Sequence, residues 1–430
     1  MNNRILYIVL FALALIFCVR CRVVKMGQFY LSENHQKPKQ INVPVYNDPS
    51  HVFQFAKSKG GHQDFISNIT YTAYSRRKPK TYKLSEYLDD HTRTTAFLVV
   101  RNDTILFEEY YEGYDETSLL PSWSVAKSFT SALVGIAIQE GFISESDKVA
   151  QYFPELNNDD EKWNQLTIEH LLNMRSGIDF NEDSYSNPYS SVADLYMTKN
   201  IMKKLRKVRF KYKPGTEHYY SSFDTEILGL ALEKALDRPL SAYLQEKIWR
   251  PLGMEYSATW TIDSKSNNNT KAFCCLNVAL RDYAKFARLY LNKGNWNGEQ
   301  LIDDLWINKS VNPNFDNNCY QNQWYSRKRG VEYEKDSAGN YNPITYKDSV
   351  QASNAITDVR YQKAKKNYKN NGEWAVQRCG PGFFALGIFG QEVYVDPESE
   401  MIFIRLGKKW DTSSQRLFSL ITRELENKFQ

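Results

Sequence analysis

The sequence predicts an α+β fold in which the two ends of the chain build one antiparallel sheet, flanked by helices, with a helical lobe inserted between them. Two strand pairs carry that expectation. Ala96–Val100, the turn Arg101-Asn102-Asp103 and Ile105–Tyr110 read as one hairpin. Glu392–Val395, the turn Asp396-Pro397-Glu398 and Met401–Leu406 read as another. The third observation is helical periodicity in most of what lies between, as in Ile168–Met174, Thr225–Leu236, Leu240–Ile248 and Leu280–Leu291. With 430 residues, 42% of them hydrophobic, the chain has material for a large core. A cleft between two such lobes is the natural place for a site.

The first element is a targeting segment. Arg4 precedes an apolar run from Ile5 to Val19, and Arg20, Arg22 and Lys25 follow. That run is short for a membrane span of about 20 residues and fits the apolar core of a signal peptide. No small-x-small cleavage site follows, so an uncleaved anchor extended through Val23 and Val24 fits equally well. Residues 1–25 are therefore expected to be a signal peptide or signal anchor, with membrane anchoring through residues 5–24. The body would be exported, either periplasmic or membrane-anchored. Residues 26–66, polar and carrying Pro38, Pro44 and Pro49, read as a tether, and 67–430 as the folded domain.

After the first hairpin comes PSWSVAKSFTSALVGIAIQEG, Pro121–Gly141. Val125, Phe129, Leu133, Ile136 and Ala137 recur at helical spacing, and Gly141 is a stop signal. Ser124 and Lys127 lie three residues apart, on one helix face. The rest of the stretch is mostly apolar or small, so the helix should be buried with two polar groups at its N-terminal end. Burying a lysine is costly unless it has partners or loses its proton. A desolvated lysine beside a serine is one way to make that serine a nucleophile. The bare spacing is common by chance; its position at the start of an apolar helix gives it weight.

Further along, the basic run Lys203–Lys213 reads as a solvated helical face, and a net charge of +5 over the whole chain does not suit a dedicated nucleic-acid binder. Asn312 to about Glu373 is weakly patterned, and residues 325–375 read as an insertion placed to cover a cleft. Cys274, Cys275, Cys319 and Cys379 lack metal-site spacing. Adjacent cysteines rarely bridge each other, and a disulfide from that pair to Cys319 or Cys379 is open but unsupported, so these four are expected to be buried small residues. A last helix, Ser413–Lys428, closes the chain.

Several stretches follow one another in a familiar order. They are the Ser124–Lys127 motif, EGFISESDKVAQYFPEL, LTIEHLLNMRSGIDF, PGTEHYYSSFDTEILGLALEKAL with WRPLGM, and ALRDYAKFARLYLNKGNWNGEQLI. From about Ala96 to Leu425 the chain resembles the serine β-lactamase-related hydrolases: class C β-lactamases, D-Ala-D-Ala carboxypeptidases, family VIII esterases and 6-aminohexanoate-dimer hydrolases. Their Ser-x-x-Lys motif supplies the acylated serine. The resemblance implies a β-lactamase/transpeptidase-like fold, in agreement with the reading from the strands and helices.

It also implies two further parts of a site. The family carries Tyr-x-Asn where this chain has Tyr220-Ser221-Ser222. Tyr220, after Pro214-Gly215 and before the next helix, matches the family's general base or proton relay better than Tyr219 does. A phenol beside cationic Lys127 is expected to have its pKa lowered. Ser222 replaces the asparagine that would orient a substrate carbonyl. The third motif, Lys-Thr-Gly or His-x-Gly in the family, falls on Ile388-Phe389-Gly390, with no cation or hydroxyl. Glycine there lets substrate approach the backbone, and the N–H groups of Ser124 and Gln391 are the expected oxyanion hole. A Ser-His-Asp arrangement is disfavoured: there is no G-x-S-x-G elbow, and His35, His51 and His62 sit in the expected tether.

The expected function is thus a serine hydrolase acting through an acyl-enzyme on an ester or a small amide or peptide bond, peptidoglycan-like peptides included. No metal or organic cofactor and no nucleic acid is expected. Without Lys-Thr-Gly and the asparagine, efficient β-lactamase action is not. The competing class is a non-catalytic penicillin-binding-like sensor or binding protein of the same fold.

Overall fold

A computed structural model describes residues 40–74, 79–156, 160–182, 185, 187, 189–313, 319–329, 333–335, 341–343, 367–370, 373–376, 378–409 and 414–429. Its main sheet has eight strands in the order Tyr320–Gln321, Trp324–Arg329, Arg378–Gly387, Gln391–Asp396, Met401–Gly407, Thr94–Arg101, Thr104–Tyr110 and Ala56–Lys57. The two predicted hairpins meet at its centre, where Met401–Gly407 runs antiparallel to Thr94–Arg101 with Phe403 opposite Val99. Both ends of the chain thus build one sheet, as the patterning predicts.

These strands read as continuous apolar runs because both faces of the sheet are covered. Side chains alternate across a strand, so Ala96, Leu98 and Val100 enter the larger core with Phe129, Phe286 and Ile404. Phe97 and Val99 enter a second core with Phe403, Leu417, Phe418 and Ile421. The closing helix Ser414–Lys428 caps that second face. On the first face lie Leu280–Leu291 and the helix Ala126–Gln139, buried from Ala126 through Ala137. A helix apolar all round is a core helix. Gly141, at φ +79°, ends that segment in the left-handed region expected of a helix stop.

A smaller sheet sets the site. Its order is Ile41–Val45, Ala258–Ile262, Leu276–Val278 and Leu120–Pro121. Its last strand leads directly into Ser124, and Leu276–Val278 starts just after Phe273. Arg281 forks onto Glu108 at 2.6 and 2.8 Å, pinning the helical lobe to the main sheet.

Three expectations need correction. Residues 40–66 are not a tether. Ile41–Val45 pairs with Ala258–Ile262, the Phe53 N–H bonds to the Gly253 carbonyl, and Phe55 is buried. Pro44 suggested irregular chain, but the strand is an edge strand, where a missing N–H is tolerated. The insertion begins later than residue 325, because Trp324–Arg329 pairs with Arg378–Gly387 in the main sheet. Between them only the backbones of two small hairpins are described, so its expected cover over the cleft lies outside the described residues. The cysteines are buried, but as two disulfides, Cys319–Cys379 and Cys274–Cys275. Strand pairing brings the first pair together across 60 residues, and a left-handed turn at Cys275, φ +68°, accompanies the second.

The N-terminal segment, residues 1–25, also lies outside the described residues. Among the described residues no helix is long and apolar enough to cross a membrane.

Candidate active site

The site begins with a strained turn. Trp123 has φ +46°, in the left-handed region that bulky residues avoid. Ser122 before it is pinned from both sides: its N–H bonds to the Leu276 carbonyl at 2.8 Å, and its hydroxyl accepts from the Leu276 N–H at 3.2 Å. The result sets Ser124 in a single 3₁₀ turn, Trp123–Val125, at the mouth of the buried helix, only 6% exposed.

Helical spacing then brings Lys127 to it. Lys127 Nζ lies 3.0 Å from Ser124 Oγ, 3.0 Å from Ser222 Oγ and 3.2 Å from the Phe273 carbonyl oxygen. The lysine is buried, and burial pulls its pKa from 10.5 down to about 8, against the opposing pull of Glu182 and then Glu226. Burial raises the carboxyl of Glu226 well above its ordinary value. Of the two carboxyls, Glu182 has the larger effect on Lys127.

The Tyr220 ring lies 5.0 Å from Lys127 Nζ. The pKa expectation was wrong in sign. Burial, then Tyr325 and Glu182, push the phenol well above 10, and only the Ser124 hydroxyl opposes them. Tyr220 therefore holds its proton. Tyr219, the alternative, is partly exposed and accepts from the Glu182 N–H at 3.3 Å.

Ser222 does not face a substrate. It is fully buried, accepts from Lys127, donates from its hydroxyl to Glu182 Oε1 at 2.6 Å and from its N–H to Glu182 Oε2 at 2.8 Å. Glu182 also accepts from the Tyr185 hydroxyl. Sequence reasoning missed Glu182. It follows the Ser176-Gly177 turn on a loop, and its one signal was an acid two residues past the core-packed Phe180.

The third stretch is placed differently from the expectation. Gly390 and Gln391 turn towards Arg405 and Gly407: Arg405 Nη1 donates to the Gly390 carbonyl at 2.8 Å, and Gln391 Oε1 accepts from the Gly407 N–H at 3.3 Å. The residue that abuts the nucleophile turn is Gly387. A Cβ there would stand 2.6 Å from the Ser122 carbonyl oxygen and 3.0 Å from Trp123 Cβ. Phe389, at φ +66°, then packs edge-to-face on Trp123. Aromatic walls surround the serine, with Trp123, Tyr196 and Phe273 on one side and Tyr220 stacked on Tyr325 on the other.

This arrangement of a buried serine and lysine beside a half-buried tyrosine, between a sheet and a helical lobe, has relatives. Residues 82–421 match the family model described as Beta-lactamase. The chain belongs to the β-lactamase family. A 6-aminohexanoate-dimer hydrolase of Paenarthrobacter ureafaciens is 27% identical over 349 residues, 77% of this chain and 76% of that protein. An Escherichia coli K12 protein provisionally named a D-alanyl-D-alanine carboxypeptidase is 25% identical over 195 residues, 40% of this chain and 45% of its own length. Among solved structures, a Bacillus anthracis protein provisionally named a 6-aminohexanoate-dimer hydrolase superposes with TM-score 0.69 and 22% identity, covering 93% of this chain and 95% of that one. The β-lactamase-family relatives bearing these names are hydrolases, and the fold neighbour confirms the α+β architecture.

Proposed function

We propose that this β-lactamase-family protein is a serine hydrolase that forms an acyl-enzyme on Ser124. The observation that carries the reading is a buried lysine, with pKa about 8, 3.0 Å from the serine hydroxyl. Neutral Lys127 takes the Ser124 proton as Oγ bonds to the substrate carbonyl carbon. The oxyanion then meets the Ser124 N–H and, in place of the expected Gln391, the backbone N–H of Ile388 beyond Gly387. Tyr220 gives its proton to the leaving oxygen or nitrogen as that bond breaks, and Lys127 returns one to Tyr220. Water enters by the same route in reverse and frees the acid.

The substrate class is an ester or a small amide or peptide. The relatives' names, 6-aminohexanoate-dimer hydrolase and D-alanyl-D-alanine carboxypeptidase, support small amide bonds. The walls are aromatic and the third stretch carries no cation, so a charged β-lactam is a poor fit. Two disulfides support export into an oxidising compartment. The test is intact-mass labelling with a fluorophosphonate, alongside Ser124→Ala and Lys127→Ala. One adduct on wild type, absent from Ser124→Ala and much slower on Lys127→Ala, is expected. No adduct on folded wild type returns the protein to the sensor or binding class.

A further inference from the structure

Lys127 can serve as a base only when neutral, and then it has two N–H donors and one lone pair for three neighbours. The Phe273 carbonyl can only accept, so it takes one N–H. Ser222 and Ser124 are both hydroxyls, and either could offer a proton to the lone pair. If Ser222 did so, the lone pair would point away from the nucleophile. What decides is where the Ser222 proton goes. It goes to Glu182 Oε1 at 2.6 Å, while Lys127 Nζ lies 3.0 Å from Ser222 Oγ itself, which is left to accept.

We propose that Glu182, acting through Ser222, is the positioning residue that makes Lys127 the acceptor of the Ser124 proton. The carboxylate commits the Ser222 hydroxyl as a donor to itself, so Ser222 can only accept from the lysine. With Phe273 and Ser222 both accepting, the lone pair is left to Ser124. The inference rests on the serine-hydrolase reading for its consequence in catalysis.

Only a carboxylate meets the geometry. Oε1 receives the Ser222 and Tyr185 hydroxyls, and Oε2 receives the Ser222 N–H at 2.8 Å. Both atoms must be acceptors. An amide has one acceptor and one donor. Turned one way, its NH2 meets the Ser222 N–H; turned the other, it donates to Ser222 Oγ and drives the hydroxyl proton onto the lysine.

The charge adds a second signature. Charged and titratable groups acting on Lys127 come from three elements: Glu182 on the loop after Ile168–Leu172, Glu226 on Ser222–Leu236, and Tyr220 on the loop before that helix. Burial raises both Glu226 and Tyr220 well above their ordinary values. Glu182 has the larger hold on the ammonium form of the two carboxyls, and it alone is joined to the lysine through Ser222.

The experiment is the pH profile of fluorophosphonate labelling for wild type, Glu182→Gln, Ser222→Ala and the double variant, with near-UV circular dichroism to verify packing. In Glu182→Gln the midpoint should fall by about one pH unit, and the plateau at least about tenfold. Ser222→Ala should lower the plateau with a smaller change of midpoint. The double variant should have the plateau of Ser222→Ala, because without the hydroxyl the carboxylate has nothing to commit. A Glu182→Gln profile superimposable on wild type overturns the inference, as does additive loss in the double variant. Should Glu182→Gln not fold, an unchanged plateau in Ser222→Ala overturns it. In parallel, lysine-selective 13Cε NMR, with Lys127→Ala for assignment, reads the titration of Lys127 directly. Absence of label on wild type sinks the hydrolase reading, whereas the NMR midpoint in Glu182→Gln still decides the link to Lys127.

Discussion

Gly387→Ala tests whether the end of the Arg378–Gly387 strand abuts the nucleophile turn. The added Cβ would stand 2.6 Å from the Ser122 carbonyl oxygen, where ordinary contact begins at 3.4 Å, a shortfall of about 0.8 Å. The strand cannot easily retreat, because it is paired with Trp324–Arg329 on one side and Gln391–Asp396 on the other. Ser122 is held by its two bonds to Leu276. The displacement must therefore pass into Trp123 and Ser124. Misplacing a reacting group by about 1 Å costs on the order of 100-fold, so labelling should slow by about 10- to 100-fold. Overpacking of this kind costs about 1–3 kcal/mol of stability. The assay is the second-order labelling rate at pH 9, where Lys127 is mostly neutral, paired with a thermal melt. Gly390→Ala is the contrast, since its Cβ meets Arg405 and the Lys409 carbonyl; it should lose stability with a smaller effect on labelling. Wild-type labelling by a folded Gly387→Ala would refute the contact and the oxyanion site built on it.

Three further outcomes follow from burial and from the disulfides. With Lys127 at about 8, wild-type labelling should rise through pH 8 and flatten above it; a flat profile from pH 6 to 9 would remove Lys127 as the base. The same depression has a stability sign. Lys127 and Lys271 both fall to about 8, so between pH 8 and 9.5 the unfolded chain binds more protons at these two sites and they add stability as pH rises. Buried phenols raised above 10, Tyr220, Tyr283 and Tyr320 among them, take stability away as pH approaches 10. From pH 8 to 9.5 the gain is about 1–2 kcal/mol per lysine, read as an increase in the urea midpoint. Asp224 and Glu233, raised to about 7, have mostly titrated before that window. Non-reducing peptide maps should join Cys319 to Cys379, and replacing both with serine should cost about 4 kcal/mol through the reopened loop. Free thiols at either position in native protein would remove that bridge.

The sheet was legible in the sequence because its central strands are buried on both faces, so Ala96–Val100 and Met401–Ile404 are apolar on both faces of the pleat. The N-terminal edge strand was not. Ile41–Val45 earns its place by pairing with Ala258–Ile262, a partner more than two hundred residues away in the chain that leaves no local trace. The cysteines failed for a related reason, since Cys319 and Cys379 come together only because Trp324–Arg329 pairs with Tyr320–Gln321 on one side and Arg378–Gly387 on the other. In the third motif the stretch Gly387-Ile388-Phe389-Gly390 offers two glycines. A left-handed Phe389, which sequence does not announce, decides which one meets the nucleophile.

Within the site, proximity was readable and protonation was not. Ser124 lies in the 3₁₀ turn that runs straight into the helix carrying Lys127, so a contact three residues apart was readable from the spacing. The acid strength of Tyr220 depends on what else surrounds it. A neighbouring ammonium lowers a phenol, yet burial outweighs it here, because the same apolar walls that pull Lys127 down to about 8 hold Tyr220 above 10. One environment thus pushes the two groups towards neutrality from opposite sides. In the proposed mechanism this fits the lysine as the group that takes a proton near neutral pH and the tyrosine as the one that gives it. The carboxylate that keeps this division in order, Glu182, reaches the lysine only through Ser222, forty residues further on. A three-body contact of that kind exists in the fold and nowhere in the local sequence.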